Sequence, residues 1–271
     1  MKKKYILILI AVFAVIVSLI FVFKTQAQKF GKTEGSTIEV THIKPEVGKL
    51  PFFSLVPRKD GNAFSLFVRR MGQNESQEYE ITYQTAEKTE QGIIGKIEQG
   101  SEYYEKEHLF GTCSTKVCRY DKGVEFGKFS TTISSPENEY QLNFDFHLQK
   151  LSLSGGVLTQ KDGSASLSIP VSSIPDSLFF ISHPTGGIPV SVKEKIIAGP
   201  FGFFSSEFKM SKDATLSINL PKEAPKENLT IWGWEKDDKR WIEYSTEIKD
   251  QIASAKVNLF TTYIVVEKQT L

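Results

Sequence analysis

The two cysteines of the chain, Cys113 and Cys118, are its clearest signal for chemistry because only four residues separate them. In an exported protein such a pair most simply forms a disulfide across a tight loop. Free thiols, a redox pair and a metal site are the alternatives. A redox pair normally has the spacing Cys-x-x-Cys, and zinc needs four ligands, whereas the four histidines show no ligand spacing near the cysteines. We therefore predict a structural disulfide and no metal site.

Three tryptophans near the C-terminus, Trp232, Trp234 and Trp241, are the residues that could face a ligand. Trp232 and Trp234 project from the same face if this segment is a strand. A sugar-binding platform needs exposed coplanar rings beside polar groups, and three carboxylates stand nearby, at Glu235, Asp237 and Asp238. Aromatic side chains, however, dominate protein cores. We predict that the rings pack between sheets and against a first domain, and we keep sugar binding as the alternative.

No recognised catalytic motif is present in the sequence. It has no Gly-x-Ser-x-Gly elbow, no Walker loop, no His-Glu-x-x-His and no EF-hand pattern. His183 is followed by Pro184, Gly186 and Gly187, which predicts a turn with a solvent-facing imidazole and no carboxylate partner. We expect no catalytic residues, no cofactor and no enzymatic activity. An enzyme whose site is assembled from residues far apart in the sequence remains a third hypothesis.

The charge of the chain is nearly balanced, which bears on its partners. It carries 33 basic and 32 acidic side chains, and four of the lysines lie in the first 24 residues, where no acid occurs. The remainder therefore has a formal net charge of −3. Binding to nucleic acid needs a concentrated basic face. We predict no nucleic-acid partner.

The N-terminal segment predicts where the protein works. An uninterrupted apolar run of 19 residues begins at Tyr5 and ends at Phe23, between three lysines and Lys24. As a helix it spans about 28 Å, close to the ~30 Å hydrocarbon core of a bilayer. The lysines before it favour an inside N-terminus and extracytoplasmic domains. Because secretory signals usually have shorter apolar regions, we predict that residues 1–24 form an uncleaved single-pass anchor in the cell membrane. Secretion after cleavage near Ala27 is the alternative.

The chain after the anchor is predicted to be all β. Residues 25–50 are polar and predict a stalk that leads into a first strand, and residues 51–149 contain several segments of period-two alternation. Strict alternation over nine residues indicates a half-buried strand. The clearest case places apolar side chains at Tyr140, Leu142, Phe144, Phe146 and Leu148. Short strands punctuated by turns, without a helix between them, predict an antiparallel immunoglobulin-like β-sandwich for residues 51–149.

Residues 150–271 are predicted to form a second β unit, which resembles a ZU5 domain. The resemblance covers about residues 151–268. Its motifs are Gly155-Gly156-Val157, Ile169-Pro170, Ile174-Pro175, Gly199-Pro200-Phe201-Gly202, and the strand that begins at Thr215-Leu216 and ends at Leu220-Pro221. The resemblance implies a second β-sandwich that serves as an interaction or spacer module, without a cofactor.

Some ZU5-type and related domains cleave themselves at a His-Phe-Ser or His-Leu-Thr turn, where the hydroxyl attacks the preceding carbonyl and the histidine removes its proton. The corresponding residues here are Leu259, Phe260 and Thr261, so the position of the base holds leucine. Loss of a general base lowers such a rate by about 10²–10⁴-fold. We expect an ordinary final strand, with Phe260 in the core, and an intact chain.

The sequence thus predicts a transmembrane helix followed by two β-sandwich domains, the first immunoglobulin-like and the second ZU5-like. We expect a membrane-anchored extracytoplasmic protein with a structural, adhesive or protein-interaction role, whose partner is another surface protein or a glycan. The alternative function is that of a carbohydrate-binding surface module that uses Trp232, Trp234 and Trp241.

Overall fold

The described part of the chain is built from strands in antiparallel ladders, as the period-two pattern predicts. The computed structural model describes residues 44–115, 117–170, 178–206, 210–225 and 227–268. These residues contain one 3₁₀ turn, Val47–Lys49, and no α-helix, so the all-β prediction is confirmed for them. The predicted anchor, stalk and cleavage site at residues 1–43 lie outside the described residues. No helix within the described ranges is long and apolar enough to cross a membrane.

Nineteen strands are assigned in the described ranges. They are β1 (Phe52–Pro57), β2 (Ala63–Arg69), β3 (Ser76–Gln84), β4 (Glu90–Ile97), β5 (Tyr103–Leu109), β6 (Gly111–Ser114), β7 (Val117–Tyr120), β8 (Phe126–Ser134), β9 (Glu139–Lys150), β10 (Val157–Thr159), β11 (Ala165–Ser168), β12 (Phe179–Pro184), β13 (Lys195–Phe204), β14 (Ala214–Asn219), β15 (Leu229–Glu235), β16 (Arg240–Tyr244), β17 (Thr246–Lys249), β18 (Ile252–Val257) and β19 (Thr262–Glu267).

A nine-stranded sheet is the centre of the fold. Its order is β16-β15-β19-β13-β12-β9-β8-β3-β4. A three-stranded sheet has the order β1-β2-β5, a five-stranded sheet has the order β10-β11-β14-β18-β17, and β6 and β7 form a separate hairpin. The alternation predicted from Tyr140 to Leu148 is confirmed, because the apolar side chains of β9 in this stretch are buried and the polar ones between them are more exposed.

The three-stranded sheet packs on one half of the nine-stranded sheet through aromatic side chains. The ring centroid of Phe53 in β1 lies 5.1 Å from that of Phe129 in β8 and 6.0 Å from that of Phe144 in β9. Phe64 in β2 lies 6.2 Å from Phe146 in β9. All five rings are buried. Burial of one such side chain contributes about 1.5–3 kcal/mol, so these contacts hold the two sheets together.

The five-stranded sheet packs on the other face of the nine-stranded sheet. Ile181 of β12 belongs to the core beneath the three-stranded sheet, whereas its neighbour Phe180 belongs to the core that contains Leu167 and Leu216 of the five-stranded sheet. Successive side chains of a strand point to opposite faces. The nine-stranded sheet therefore carries a large hydrophobic core on each face.

The predicted domain boundary at residue 150 coincides with the end of β9. The buried side chains divide near this position, because nearly all of the first core comes from residues 50–148 and the second begins at Leu151. The nine-stranded sheet nevertheless contains strands from both sides, and β9 pairs with β12 across the boundary. The division into domains 51–149 and 150–271 stays a prediction.

Candidate interaction surface

The hairpin of β6 and β7 projects from the fold and is closed by a disulfide. Cys113 and Cys118 are paired across the hairpin with their Cα atoms 4.0 Å apart, and their sulfur atoms are bonded. The predicted disulfide is confirmed. Apart from the half-buried Gly111, the described residues of both strands are exposed, and none belongs to a hydrophobic core. The hairpin is thus a preformed projection rather than part of the packed interior.

Two backbone hydrogen bonds join the base of the hairpin to the core. The buried Phe110 donates its N–H to the Asn62 carbonyl and accepts a bond from the Asp121 N–H, both at 2.9 Å. The Tyr83 hydroxyl donates to Oδ2 of Asp121 at 2.9 Å. The pKa of Tyr83 is raised, chiefly because the hydroxyl is buried and secondly because it is hydrogen-bonded to this carboxylate. At Gly111, φ is +138° and a Cβ would meet the Arg119 carbonyl oxygen, so glycine is required there.

Arg58 links the hairpin to the turn between β1 and β2. Its guanidinium makes two 2.8 Å hydrogen bonds to the Asp60 carboxylate and lies 5.5 Å from the ring centroid of Tyr120. The hydrogen bonds from Arg58 are the main reason that the pKa of Asp60 falls to about 2. A bidentate arginine pair fixes its geometry more firmly than a lysine pair, and a cation–π contact adds about 0.5–1 kcal/mol at an exposed site. The base of the hairpin is therefore held from both sides.

A groove of about 550 Å³ runs beside this base. Its walls are the β1–β2 turn, the segment after β7 and the turn after β9. The lining residues are Asp60, Gly61, Asn62, Asp121, Lys122, Gly123, Val124, Glu125, His147, Leu148, Gln149, Lys150, Leu153, Ser154 and Phe179. Leu153 is 84% exposed at its rim. We call the hairpin and this groove together the hairpin surface.

The polar side chains behind the groove are engaged with one another. Nδ1 of His147 donates to the Thr159 carbonyl at 3.1 Å, and burial lowers the pKa of His147. Nε2 of Gln149 donates to the same carbonyl and to the Ser182 hydroxyl, while that hydroxyl donates to Thr159 O at 2.6 Å. Within the described residues no group of three or more acidic, histidine or cysteine side chains has the geometry to hold a metal ion. These side chains therefore satisfy one another's hydrogen bonds.

The three tryptophans do not form a flat platform. Trp234 is buried, and its ring meets that of Trp241 at 66° with 5.5 Å between centroids. Trp232 and Trp241 are partly buried against the small core of Ile188, Ile264 and Val266. Nε1 of Trp241 donates to the Val190 carbonyl at 3.1 Å. These rings pack chiefly between β15, β16 and the loop at residues 188–192.

His183 and Thr261 are both buried, which the sequence did not predict. The prediction of a solvent-facing His183 in a turn is wrong, because His183 lies in β12 and is fully buried. Pro184 also belongs to β12, the two glycines come after the strand, and the ring of His183 stacks on that of Phe144 with 4.9 Å between centroids. Thr261 is also buried, and its hydroxyl donates to the Trp234 carbonyl at 2.6 Å. Phe260 is partly buried against the second core.

Comparisons with known proteins identify no family. No family model matches the chain, and no curated protein matches it. Among solved structures, the crystal structure of red sea bream transglutaminase matches with a TM-score of 0.19 and 8% sequence identity. The match covers 66% of this chain and 30% of that chain. A likeness of this size carries no argument about fold or activity.

Proposed function

We propose that this protein is a membrane-anchored, extracytoplasmic adhesive or protein-interaction molecule without catalytic activity, and that it contacts its partner through the hairpin surface. The two hydrophobic cores support the further proposal of two β-sandwich units, the first immunoglobulin-like and the second ZU5-like. The apolar run from Tyr5 to Phe23 supplies the anchor. A disulfide persists chiefly in oxidising compartments, which supports export.

The observation that carries the proposal is the exposure of the disulfide-bonded hairpin. Its side chains add nothing to the cores, yet Arg58, Phe110 and the disulfide hold it in one conformation. A rigid loop that is already in its binding conformation avoids most of the ordering cost of association. Val117 near the tip is 70% exposed, and an apolar side chain at this position is available to a partner.

The binding test uses the full-length chain, solubilised in detergent and immobilised. Cell-wall preparations and secreted proteins are passed over it, and the bound material is compared with that bound by Val117→Asp and by Ile252→Asp. Ile252 is 39% exposed on β18, away from the hairpin, so it supplies a matched control. We expect Val117→Asp to abolish capture of the partner and Ile252→Asp to leave it unchanged. Capture that survives this change contradicts the proposed surface.

The location is tested by protease treatment of intact cells. We expect the protease to remove residues 24–271 and to leave a small membrane-bound stub that contains the apolar run. A freely soluble protein whose N-terminus is Gln28 would show that the segment is a cleaved signal and that the protein is secreted. Full protection from the protease in intact cells would overturn the proposed orientation.

Glycan binding by the tryptophans is the second candidate. The side chain of Trp241 is only partly buried, so part of it is open to solvent and to a sugar. A glycan panel probed with the wild-type chain and Trp241→Ala tests this function. Binding of a defined glycan that Trp241→Ala abolishes and Val117→Asp leaves unchanged would favour it over the hairpin surface.

A further inference from the structure

Strand β4 forms one end of the nine-stranded sheet. It is eight residues long and pairs with β3 on its inner side, and among the strands of the described residues none pairs with its outer side. The strand at the opposite end, β16, has five residues. An edge strand presents unpaired N–H and C=O groups, which are a template for another strand.

The exposed face of β4 carries an apolar side chain between charged ones, and the strand has no proline, which many edge strands use to prevent pairing. Glu90, Gly92, Ile94 and Lys96 point to this face. Ile94 is 79% exposed, whereas a Cβ placed on Gly92 would have only Oε1 of Glu80 within 4 Å. The strand therefore presents an apolar side chain next to an open space, with an acid near one end and a base near the other.

We propose that β4 pairs in antiparallel orientation with β4 of a second copy of this chain, with Ile93 opposite Ile93 of the partner subunit. A twofold axis perpendicular to the sheet requires residues on the same face to lie opposite each other. In this register Glu90 lies opposite the partner's Lys96, and Gly92 lies opposite the partner's Ile94. Lys96 also forms an exposed 3.4 Å ion pair with Glu98 of its own chain, and its ammonium has further donors for a second carboxylate across the interface. The twofold axis repeats both contacts, so the strand is complementary to itself in charge and in shape.

The charges select this register over one of the two neighbouring registers that keep the same faces together. A shift that places Ile94 opposite Ile94 of the partner subunit brings Glu90 opposite the partner's Glu98, and like charges directly opposite are destabilising. The same shift places Gly92 opposite Lys96 of the partner subunit, which leaves the space above the glycine without an apolar side chain. The proposed register forms two opposite-charge pairs and covers two isoleucine side chains.

A charge exchange tests the proposal on the full-length chain in detergent micelles, with the molar mass measured by light scattering and sedimentation. We expect a dimer for the wild type. Glu90→Lys and Lys96→Glu each turn two attractive pairs into two repulsive ones, so each should raise the dissociation constant about tenfold. The double variant E90K/K96E restores both pairs and should return the dissociation constant to about the wild-type value. Glu247→Lys makes the same charge change on β17 and should have no effect.

The apolar run from Tyr5 to Phe23 could itself bring two chains together in a micelle, and the exchange separates that source from β4. A dimer that none of the charge variants weakens, or a double variant weaker than both single ones, overturns the β4 interface. A monomer at every concentration also overturns it. Gly92→Val provides a second test, because its side chain fills the space that the partner's Ile94 needs. If Gly92→Val dimerises like the wild type, the register is wrong.

Discussion

The main-chain N–H of Leu55 donates a 3.0 Å hydrogen bond to Nε2 of His183, which ties the outer strand β1 to β12 of the nine-stranded sheet. Nδ1 of the same ring donates to the Pro184 carbonyl at 2.8 Å. These two bonds define a neutral imidazole with its proton on Nδ1. Because the ring is fully buried, a second proton would both charge the interior and displace the Leu55 N–H.

Acid should therefore destabilise the fold before the carboxylates protonate. Burial lowers the pKa of His183 from 6.5 to about 4, so between these values the unfolded chain binds a proton that the folded chain does not. The contribution of neutral His183 to the free energy of unfolding is fully present above about pH 6.5. It is lost as the pH falls towards 4, and the loss from this residue is about 3 kcal/mol. Denaturant unfolding at pH 7.5, 6 and 4.5 measures this loss.

The variant His183→Gln keeps a hydrogen-bond acceptor and removes the titration. We expect it to be less stable than the wild type at pH 7.5 but to lose less stability between pH 7.5 and 4.5. Part of the dependence should remain, because burial also lowers the pKa of His108 to about 4. An unchanged pH dependence in His183→Gln would show that His183 is not the group that titrates.

Gly95 of β4 should be intolerant of any side chain. The ring of Tyr79 lies across it, and a Cβ at this position would come within 2.1 Å of that ring. The Tyr79 hydroxyl bonds to the Tyr104 hydroxyl at 2.8 Å and to Nε2 of His108 at 3.0 Å, so the ring is not free to move. Gly95→Ala should lower the free energy of unfolding by about 1–3 kcal/mol.

Gly92→Ala is the matched control for that change when both variants are measured at a chain concentration at which the protein is monomeric, because Gly92 lies on the same strand but faces open space within its own chain. We expect it to alter the free energy of unfolding by less than about 0.5 kcal/mol. Equal losses in both variants would mean that strand propensity, and not overlap with Tyr79, decides the effect.

How far the sequence predicts this fold can be judged from β9 and β12. In β9 one face is polar, so the alternation from Tyr140 to Leu148 identified the strand and its buried side. In β12 both faces are buried, and Phe180 and Ile181 serve different cores. A strand between two cores loses the period of two that reports its orientation. The burial of His183 next to a proline and two glycines depends on β1, a partner 128 residues away, and no local pattern records it.

The disulfide should contribute little to global stability. The hairpin adds no side chain to the cores, and the two cysteines that the bridge joins are only five positions apart in the sequence. Loop closure of this length contributes about 2 kcal/mol at most. The double variant C113S/C118S should therefore lower the free energy of unfolding by no more than about 2 kcal/mol. The non-reduced wild type should be two hydrogen atoms lighter than the reduced form, and titration of two free thiols without reductant would exclude the bridge.

The hairpin surface was predicted from the sequence only in part. The spacing of Cys113 and Cys118 predicted the disulfide and a tight loop, because such a bridge constrains only a few residues and its signal is local in the sequence, whereas the pairing of β6 with β7 was not predicted. The groove beside it was missed. Asp60, Asp121 and Leu153 lie in three separate walls of the groove. These walls are far apart in the sequence and share no motif, and only strand pairing brings them together.

The bond between Phe260 and Thr261 should remain intact. Self-cleavage needs a hydroxyl that can lose its proton to a base, but the Thr261 hydroxyl donates to the Trp234 carbonyl at 2.6 Å, and a carbonyl oxygen does not act as a base near neutral pH. If the proposed likeness to a ZU5 domain holds, Leu259 stands where the self-cleaving domains have their histidine. Denaturing electrophoresis and mass spectrometry should find one chain of 30.5 kDa if the apolar segment is retained. Thr261→Ala should leave that chain intact and lower the free energy of unfolding by about 1 kcal/mol, because the Trp234 carbonyl loses its donor. A released peptide that begins at Thr261, and that disappears in Thr261→Ala, would show that another residue supplies the base and that the protein does carry out chemistry.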